Sequence, residues 1–488
     1  MKFNAWFAFT FSVLNVCSFS PAFTQLQVAG IFSSHMVLQR NKPLPVWGTA
    51  TPGNKVQVSF AGVVGNTTAD NTGKWQVELA ALKQNGQPQT LEVSSNQEKI
   101  ILEDVLVGDV WLCSGQSNME YPLDRKLKKY KAPGRGNDLA DEAVQNKAGR
   151  PDAIRYIYVE RNLNKYPALP ANGWVKGSDT LINYASAIGF FFAMEVFEQT
   201  KVPIGIITAA WGGTRIEQWT QPAAYKPSPV FGQVAASSDT FKIDGLKPGQ
   251  MYRGMIEPMI PFAIKGVLWY QGESNCMIED QDTYVEKMKV MEDSWRKNFR
   301  NQQLPFYTVQ IAPFLYSTRK DPKPHTTELL AGFWEAQANC TKLPRTYMVV
   351  TTDLVDNLKD IHPSYKWVIA HRMAQQALAY DYGIRNSKAN SPEFARVKRK
   401  RNQLIVSFKN KGGGLQSSDG KDLSWFSVAG DDGKFVAATA ILKKNKIIVS
   451  SADTGNPKYV RFAWHESAMP NLATKEGLPC IPFRTDRL

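Results

Sequence analysis

The sequence LCSGQSNME, residues 112–120, marks the point where a buried strand gives way to a polar turn. The apolar run before it, residues 105–111, predicts that strand. A serine at the end of a buried strand, on a turn that contains glycine, is where an α/β sheet presents a nucleophile to a crevice. A helix that begins just after Ser117 would direct backbone N–H groups toward an anion formed there. A turn that only caps a helix has the same pattern, so the rest of the chain must supply a base and an oxyanion hole.

The start of the chain has the pattern of a secretory signal peptide over residues 1–24. Lys2 precedes an apolar run, residues 5–16, and residues 22–24 (AFT) provide a small-x-small cleavage site. We therefore expect a mature chain that begins near Gln25 and is secreted or periplasmic. The residues before Cys17 lack the small side chains that precede a lipidated cysteine. No later segment has the length and apolar character of a transmembrane helix.

The composition indicates a large globular protein. A chain of 488 residues exceeds one ordinary hydrophobic core, which indicates two or three domains. An apolar content of 43% excludes an intrinsically disordered chain. The net charge of +14 is spread along the sequence, apart from basic runs at residues 125–131 and 396–401. In an exported protein such runs are typical of solvated loops that favour acidic glycans or an anionic surface, and no nucleic-acid partner is expected.

The cysteines do not predict a metal site. Those beyond the signal segment are widely separated and include no CxxC pair, which indicates neither a zinc site nor a disulfide scaffold. An exported chain could still form one or two disulfide bonds among them. They are Cys113, Cys276, Cys340 and Cys480.

Three regions of the chain differ in pattern. Residues 25–104 contain short alternating strands separated by glycine-containing turns, which predicts an N-terminal β-sandwich domain. In residues 105–388, apolar strands alternate with helical stretches, which is typical of a parallel sheet covered by helices. In residues 389–488 the turn-rich β pattern returns, either as a second β region or as strands that complete the first. The predicted fold class is α/β with β-sandwich-type regions at both ends.

Ligand sites in an open α/β sheet lie outside the carboxyl ends of its strands. Polar, glycine-rich sequence follows four of the predicted strands, near Ser117, Gly213, Gln271 and His362. Because the chain has five histidines and only His362 follows a buried strand and precedes a helix, His362 is the best candidate for the base. Neutral imidazole can accept the serine proton near pH 7 and return it to a leaving alcohol.

Asp360 is the predicted partner that orients the imidazole of His362. Asp353 and Asp356 are alternatives, since all three follow the same predicted strand. An aspartate that caps the following helix beside a surface histidine would give the same spacing.

Donors for an oxyanion hole are available at two strand ends. Residues 211–214 (WGGT) offer backbone N–H groups, because glycine lets the main chain approach a ligand closely. Gln271 offers a side-chain amide. Glu273 cannot donate when ionised, so it is predicted to orient neighbouring groups or to bind a substrate hydroxyl. A plain turn at WGGT and a helix cap at residues 271–275 (QGESN) fit the same sequences.

Together these segments resemble the sialate O-acetylesterase family, a branch of the SGNH-hydrolase superfamily. The matching segments occur in the expected order and span nearly the whole mature chain. They are residues 115–119 (GQSNM), 211–214 (WGGT), 269–275 (WYQGESN), 360–363 (DIHP) and a C-terminal stretch from 471 to 484. The resemblance implies a three-layer α/β/α esterase domain with appended β-domains. It also implies a carboxylic ester hydrolase that cleaves acetyl esters from sugars without a metal or a cofactor.

By the same resemblance, Ser117 is the nucleophile, His362 the base and Asp360 its orienter. The oxyanion donors would be the N–H groups of Ser117 and Gly213 and the side chain of Gln271. Two features depart from the superfamily pattern: Gln271 stands where asparagine is usual, and Asp360 precedes His362 by two residues instead of three. A backbone carbonyl is therefore an alternative orienter. Residues 124–149 resemble an insertion near the site.

The resemblance points to O-acetylated sialic acid as substrate, with acetylated xylan or xyloglucan as the alternative. The sialic acid carboxylate would need a cation, such as Arg215 or Arg253, and a neutral polysaccharide would use aromatic platforms such as Trp211 and Trp219. The predicted sugar contacts are Glu273, Asn275, Arg215 and Trp211.

A non-catalytic glycan-binding protein with a degenerate esterase core is the alternative of a different class. The complete set of Ser117, Gln271 and His362 argues against it. Nothing in the sequence indicates the extended cleft of a peptidase, and no pattern indicates an oligomeric state.

Overall fold

The structure, a computed structural model, describes residues 25–127, 135–146, 149, 151–161, 173–319, 324–384 and 388–487. The predicted signal peptide lies outside the described residues, as do parts of the basic run at residues 125–131 and of the suggested insertion at residues 124–149. Among the residues that are described, no helix combines the length and the apolar character needed to cross a membrane.

The N-terminal strands form two packed sheets. They are β1 (Gln27–Val28), β2 (Val37–Gln39), β3 (Leu44–Thr49), β4 (Lys55–Phe60), β5 (Val63–Thr68), β6 (Lys74–Leu79), β7 (Asn85–Ser95) and β8 (Glu98–Gly115). One sheet has the order β1-β3-β6, and β5, β4, β7, β8 and β2 make up the other. In β6, Trp75, Val77 and Leu79 are buried and the residues between them are exposed. This period of two is what a half-buried strand requires, and it confirms the β pattern predicted here.

A parallel sheet occupies the middle of the chain. Its strands beyond β8 are β9 (Ile154–Tyr158), β10 (Val175–Lys176), β11 (Ile204–Ala210), β12 (Gly266–Tyr270), β13 (Phe306–Val309) and β14 (Thr346–Val349). The strand order is β10-β9-β11-β8-β12-β13-β14, and every neighbouring pair is parallel except β9 with β10. β11 and β12 are buried over their whole length, because helices cover both faces of the sheet.

Helices connect these strands. They are α1 (Ser117–Glu120), α2 (Arg135–Gln145), α3 (Ala187–Thr200), α4 (Gly232–Ala236), α5 (Glu273–Cys276), α6 (Tyr284–Asn298), α7 (Leu329–Cys340) and α8 (Lys366–Asp381). Short 3₁₀ turns lie at Arg125–Leu127, Thr180–Tyr184, Ile216–Trp219, Pro222–Tyr225, Glu257–Met259 and Tyr316–Thr318, and a π turn at Tyr252–Ile256.

The helices form two layers, one on each face of the sheet. Trp111 of β8 pairs with Gly266 of β12, and Trp269 lies three residues further along β12. Because successive side chains of a strand alternate between the two faces, the indoles of Trp111 and Trp269 project from opposite faces of the sheet. Trp111 packs against Phe192 of α3, and Trp269 packs against Trp295 of α6. Because α3 also packs on α8 and α6 packs on α7, the fold has the three layers α/β/α. This confirms the predicted fold class.

The C-terminal strands have a hydrophobic core of their own. They are β15 (Glu393–Lys400), β16 (Gln403–Lys409), β17 (Leu415–Ser417), β18 (Phe426–Ala429), β19 (Val436–Ala437), β20 (Thr439–Lys443), β21 (Lys446–Ser450), β22 (Tyr459–Phe462), β23 (Leu472–Thr474) and β24 (Phe483–Arg484). They form sheets of order β15-β16-β21-β20, β19-β18-β22-β24 and β17-β23. The second basic run lies on the exposed strand β15 and the turn after it.

One long strand joins the N-terminal sheets to the central sheet. Residues 98–107 of β8 pair antiparallel with β7, and residues 109–115 pair parallel with β11 and β12. The predicted boundary between residues 104 and 105 therefore falls inside a strand. A single hydrophobic core extends across both parts. The division into regions 25–104, 105–388 and 389–488 stays a prediction.

The strand β8 ends in a turn that only glycine can make. Gly115 has a φ of +131°, and a Cβ atom at this position would lie 2.1 Å from the carbonyl oxygen of Tyr270 at the end of β12. Both the dihedral angle and the close approach exclude a side chain. Because Ser117 begins α1 two residues later, this contact fixes where the chain leaves the sheet.

Replacing Gly115 with alanine should destabilise the protein strongly. We expect the free energy of unfolding of Gly115→Ala to fall by about 3 kcal/mol, since dihedral strain adds to a clash with a neighbouring strand. Urea denaturation measures the change. Gly53→Ala is the matched control, because Gly53 has a φ of +80° with no atom within 4 Å of a Cβ, so it should lose only about 1 kcal/mol. Equal losses in the two variants would contradict the role of the Tyr270 contact.

Candidate active site

Ser117 and His362 meet at the carboxyl edge of the parallel sheet. Ser117 is the first residue of α1, directly after β8, and His362 lies in the loop between β14 and α8. The Nε2 atom of His362 is 2.8 Å from the Oγ atom of Ser117, although the residues are 245 positions apart in the chain. This is a hydrogen-bonding distance between a hydroxyl and an imidazole, the arrangement that activates a serine nucleophile.

Asp360 lies beside His362 without a hydrogen bond to its ring in this geometry. The Oδ1 atom of Asp360 accepts a hydrogen bond from the backbone N–H of His362 at 2.9 Å, and it is 3.9 Å from the Nδ1 atom. Burial raises the pKa of the Asp360 carboxyl group. In this geometry Asp360 therefore holds the loop through the backbone N–H of His362.

The alternative orienters hold other parts of the same loop. Asp353 forms a two-pronged ion pair with Arg372, at 2.9 and 2.6 Å. Asp356 accepts hydrogen bonds from the backbone N–H of Gly136 at 2.6 Å and from the hydroxyl group of Tyr365 at 2.5 Å. The other histidines lie elsewhere: His35 contacts Asp104, His325 contacts Glu279, His371 contacts Glu195 and His465 contacts Ser467.

The glycine loop at residues 211–214 passes directly beside Ser117. The N–H of Trp211 donates to the carbonyl oxygen of Gly115 at 3.0 Å, and the N–H of Gly212 donates to the Oε2 atom of Glu120 at 3.1 Å. A Cβ atom at Gly212 would lie 3.1 Å from the Cβ atom of Ser117. Gly213 has a φ of +77° and borders open space. The loop thus presents backbone at the nucleophile with no side chain between them.

Gln271 lies at the end of β12, next to the turn that carries the nucleophile. Its side chain is fully buried, and its Nε2 atom donates to the Oδ1 atom of Asn275 at 2.7 Å and to the carbonyl oxygen of Thr214 at 3.2 Å. Its Oε1 atom accepts from the hydroxyl group of Tyr284 at 3.0 Å. In this geometry the amide braces the glycine loop through Thr214.

Several predicted sugar contacts are buried instead of lining the site. Glu273 is 1% exposed, and Asn275 is fully buried with its amide nitrogen 2.8 Å from Asp280. Arg215 donates to the backbone carbonyl groups of residues 243 and 244, and Trp219 is fully buried with its indole N–H bonded to the hydroxyl of Thr214. Arg253 is exposed on a separate turn, Tyr252–Ile256.

Trp211 and Arg161 border the site together. Trp211 is half-buried, and the guanidinium group of Arg161 lies 5.3 Å from the centre of its ring. Arg161 also forms an ion pair with Glu120, the residue that accepts the N–H of Gly212. The side chain of Arg161 is 38% exposed. Arg161 could not be predicted from the sequence, because a single arginine after a strand has no pattern of its own.

A buried polar network lies behind Ser117 and His362. The Nδ2 atom of Asn118 donates to Glu273 at 2.5 Å and to the carbonyl oxygen of Ile361 at 2.9 Å, and its Oδ1 atom accepts from the Nζ atom of Lys366 at 2.6 Å. Burial lowers the pKa of Lys366 to about 7 and raises that of Glu273. Sequence reasoning missed Lys366, because a lysine at the start of a helix usually faces solvent.

The acidic cluster near the site is occupied by a lysine. Glu217, Asp244 and Asp280 converge closely enough to suggest a metal site. The Nζ atom of Lys287 lies among them, at 2.8 Å from Glu217 and 2.6 Å from Asp280 and in contact with Asp244. The ammonium group thus supplies the positive charge that these carboxylates require.

The four cysteines beyond the signal segment are all buried, free thiols in the structure. They are Cys113, Cys276, Cys340 and Cys480.

Comparison with known proteins assigns the family. A family model described as carbohydrate esterase, sialic acid-specific acetylesterase, matches residues 107–379. The chain belongs to this family. Human sialate O-acetylesterase is 30% identical over 398 residues, which cover 75% of this chain and 72% of the human protein. Rat sialate O-acetylesterase is 25% identical over 501 residues, which cover 89% of each protein.

A solved structure supports the same assignment over nearly the whole chain. A carbohydrate acetylesterase from Xanthomonas citri is 32% identical and superposes with a TM-score of 0.81, over 95% of this chain and 100% of that one. Membership in the carbohydrate esterase family confirms the resemblance drawn from the sequence, and it makes the chain a carboxylic ester hydrolase, as predicted.

Asp360 offers a test of how the imidazole is supported in this esterase. Asp360→Asn keeps an oxygen that can accept the N–H of His362 but removes the charge. We expect kcat to fall by less than the roughly 10⁴-fold that follows loss of a directly bonded carboxylate in serine hydrolases. Steady-state hydrolysis of p-nitrophenyl acetate measures it, with Asp360→Ala as the comparison that also removes the backbone contact. A full 10⁴-fold loss in Asp360→Asn would show that Asp360 bonds the ring during turnover.

Proposed function

We propose that this esterase hydrolyses O-acetyl esters on sugars through an acetyl-enzyme formed on Ser117. The observation that carries the proposal is the 2.8 Å contact between Ser117 and His362 beside the glycine loop. In the first step His362 takes the hydroxyl proton of Ser117 on Nε2 as Oγ attacks the acetyl carbonyl carbon. The carbonyl oxygen becomes an oxyanion, for which the N–H groups of Ser117 and Gly213 are the proposed donors. The predicted third donor, the side chain of Gln271, has its amide nitrogen bonded to Asn275 and Thr214 in this geometry.

The tetrahedral intermediate then collapses, which releases the sugar and leaves the acetyl-enzyme. His362 gives its proton to the departing sugar oxygen, which leaves as an alcohol, and the acetyl group stays on Ser117. A water molecule next attacks the acetyl carbon and gives a proton to His362. Acetic acid departs as Oγ recovers that proton from His362, so the enzyme is regenerated, and the acid ionises to acetate in solution. Asp360, 3.9 Å from Nδ1, stabilises the imidazolium that forms in each half of the cycle.

Loss of Ser117 should abolish turnover without unfolding the protein. We expect Ser117→Ala to lower kcat by about 10⁴- to 10⁶-fold, as removal of a nucleophile does in other acyl-transfer enzymes. Acetate release from an acetylated sugar measures the loss, and thermal unfolding checks that the variant is folded. Substantial activity in folded Ser117→Ala would overturn the mechanism. A folded wild-type chain that binds glycans and releases no acetate would instead support a non-catalytic binding protein.

We propose O-acetylated sialic acid as the substrate, following the relatives named sialate O-acetylesterase. Arg161 is the residue proposed to meet its carboxylate, because its guanidinium group is partly exposed and stacks on Trp211 beside the glycine loop. Arg215 fits this role less well, since its guanidinium group bonds backbone carbonyls. Acetylated xylan or xyloglucan is the second candidate, because the half-buried indole of Trp211 offers an aromatic surface for a neutral sugar.

Export is part of the same proposal. The signal pattern at residues 1–24 supports a mature enzyme that begins near Gln25 and acts in the periplasm or outside the cell.

Replacing Arg161 should separate the two substrate classes. For Arg161→Met we expect kcat/KM on 9-O-acetylated sialic acid to fall by about 10- to 100-fold, because one charge-assisted contact is lost. Hydrolysis of p-nitrophenyl acetate and of acetylated xylo-oligosaccharides should change little. These neutral esters also control for disturbance of Glu120 and the glycine loop. Equal losses on all three esters would contradict a carboxylate contact, and wild-type turnover of only the xylo-oligosaccharides would favour the second candidate.

A further inference from the structure

Three buried polar side chains come together from three of the four segments that build the site. Asn118 follows the nucleophile in α1, Glu273 is the first residue of α5, and Lys366 is the first residue of α8. Each is about 1% exposed. Because burial of unpaired polar and charged groups is costly, a network like this persists only when its members satisfy one another.

The carbonyl oxygen of Ile361 fixes the orientation of Asn118. A carbonyl oxygen can only accept a hydrogen bond, so the Asn118 atom 2.9 Å from it must be the amide nitrogen, and the Asn118 oxygen then lies 2.6 Å from the Nζ atom of Lys366. The amide nitrogen of Asn118 then faces two acceptors, the carboxylate of Glu273 at 2.5 Å and the carbonyl oxygen of Ile361 at 2.9 Å. A single side chain next to Ser117 is therefore bonded to the loop that carries His362.

The network holds the backbone on both sides of His362. The carbonyl oxygen of Ile361, the residue before it, accepts from Asn118. The carbonyl oxygen of Pro363, the residue after it, accepts from the Nζ atom of Lys366 at 2.7 Å. Two backbone anchors, one on each side of His362, restrict both the position and the tilt of its imidazole.

Lys366 has no route to the substrate. Its ammonium group lies against the rings of Tyr121 and Tyr270, at 4.8 and 5.5 Å from their centres. The charged groups that face it are Glu273 and Asp360, from α5 and the His362 loop. Lys366 can therefore act on catalysis only indirectly, through Asn118, through the backbone of the His362 loop, or through its charge interaction with Asp360.

We propose that Lys366 and Asn118 are positioning residues that set the distance between Ser117 and His362. The proposal rests on the proposed function, in which these two residues carry out the reaction. Without the network, the His362 loop loses its bond to α1, and the imidazole is no longer held at 2.8 Å from the hydroxyl group. Misplacement of a reacting group by about 1 Å can cost about 100-fold in rate.

The test is a kinetic comparison of Lys366→Met, Asn118→Ala and the double variant in the full chain. We expect each single variant to lower kcat on p-nitrophenyl acetate by about 100-fold with little change in KM. The double variant should be no slower than either single variant, because the two residues act as one unit. The rate at which a sulfonyl fluoride modifies Ser117 should fall in parallel, since it also depends on the Ser117–His362 pair.

Arg296→Met is the matched control. Arg296 is also a buried cation that donates to two backbone carbonyls, those of Leu304 at 3.1 Å and Pro344 at 2.7 Å, but it lies on α6 away from Ser117. It should lose stability in urea denaturation and keep its kcat when folded. If Lys366→Met does not fold, Asn118→Ala carries the test.

Two results would overturn the proposal. One is a wild-type kcat in folded Lys366→Met or Asn118→Ala, and the other is a loss of kcat that Arg296→Met shares. The proposed function fails separately, through activity in Ser117→Ala. An inactive Ser117→Ala beside a fully active Lys366→Met would leave the mechanism in place and remove only the positioning role.

Discussion

The hydrogen bond between Ser117 and His362 is the interaction on which the rest of the site depends. It joins residues 245 positions apart, and the parallel sheet makes the encounter possible because β8 and β14 end at the same edge. The glycine loop after β11 and the Gln271 segment after β12 reach that edge for the same reason. The sheet thus brings four distant segments of the sequence together. Close contacts at the strand ends, such as the one between Gly115 and the carbonyl oxygen of Tyr270, fix where the chain leaves the sheet.

Much of the fold could be predicted from the sequence because the buried strands have distinct patterns. The second part of β8, residues 105–113, and the strands β11 and β12 are mostly apolar and buried, as expected for strands covered on both faces. Elements without such a pattern, such as α7 and β9, were not predicted. In α7, eight of twelve residues are buried, so no polar face gave it a helical period, and β9 is a five-residue strand with an arginine at its second position. The predicted boundary at residue 104 falls inside β8, because β8 pairs in two sheets at once and pairing partners cannot be read from local sequence.

At the site, residue type could be predicted better than side-chain direction. Ser117 and His362 follow strands in a pattern that chemistry makes recognisable, and the structure brings them together. Glu273 was predicted to orient neighbouring groups or to bind a substrate hydroxyl, and Asn275 to contact the sugar, and both side chains are buried in the structure. Arg161 and Lys366 are the converse case. A lone basic residue is ordinarily a solvated one, and only tertiary packing shows that Lys366 is enclosed by Tyr121, Tyr270 and Asn118.

The continuity of β8 has a consequence for how this protein could have been assembled from parts. A β-sandwich joined to an enzyme by a linker can be exchanged, duplicated or lost without harm to the enzyme. Here the strand that ends at the nucleophile begins as part of the neighbouring sandwich, and one core fills the space behind both. The two parts should therefore unfold together as one cooperative unit. On its N-terminal side this esterase is not modular, and insertions are better tolerated in its loops than between its sheets.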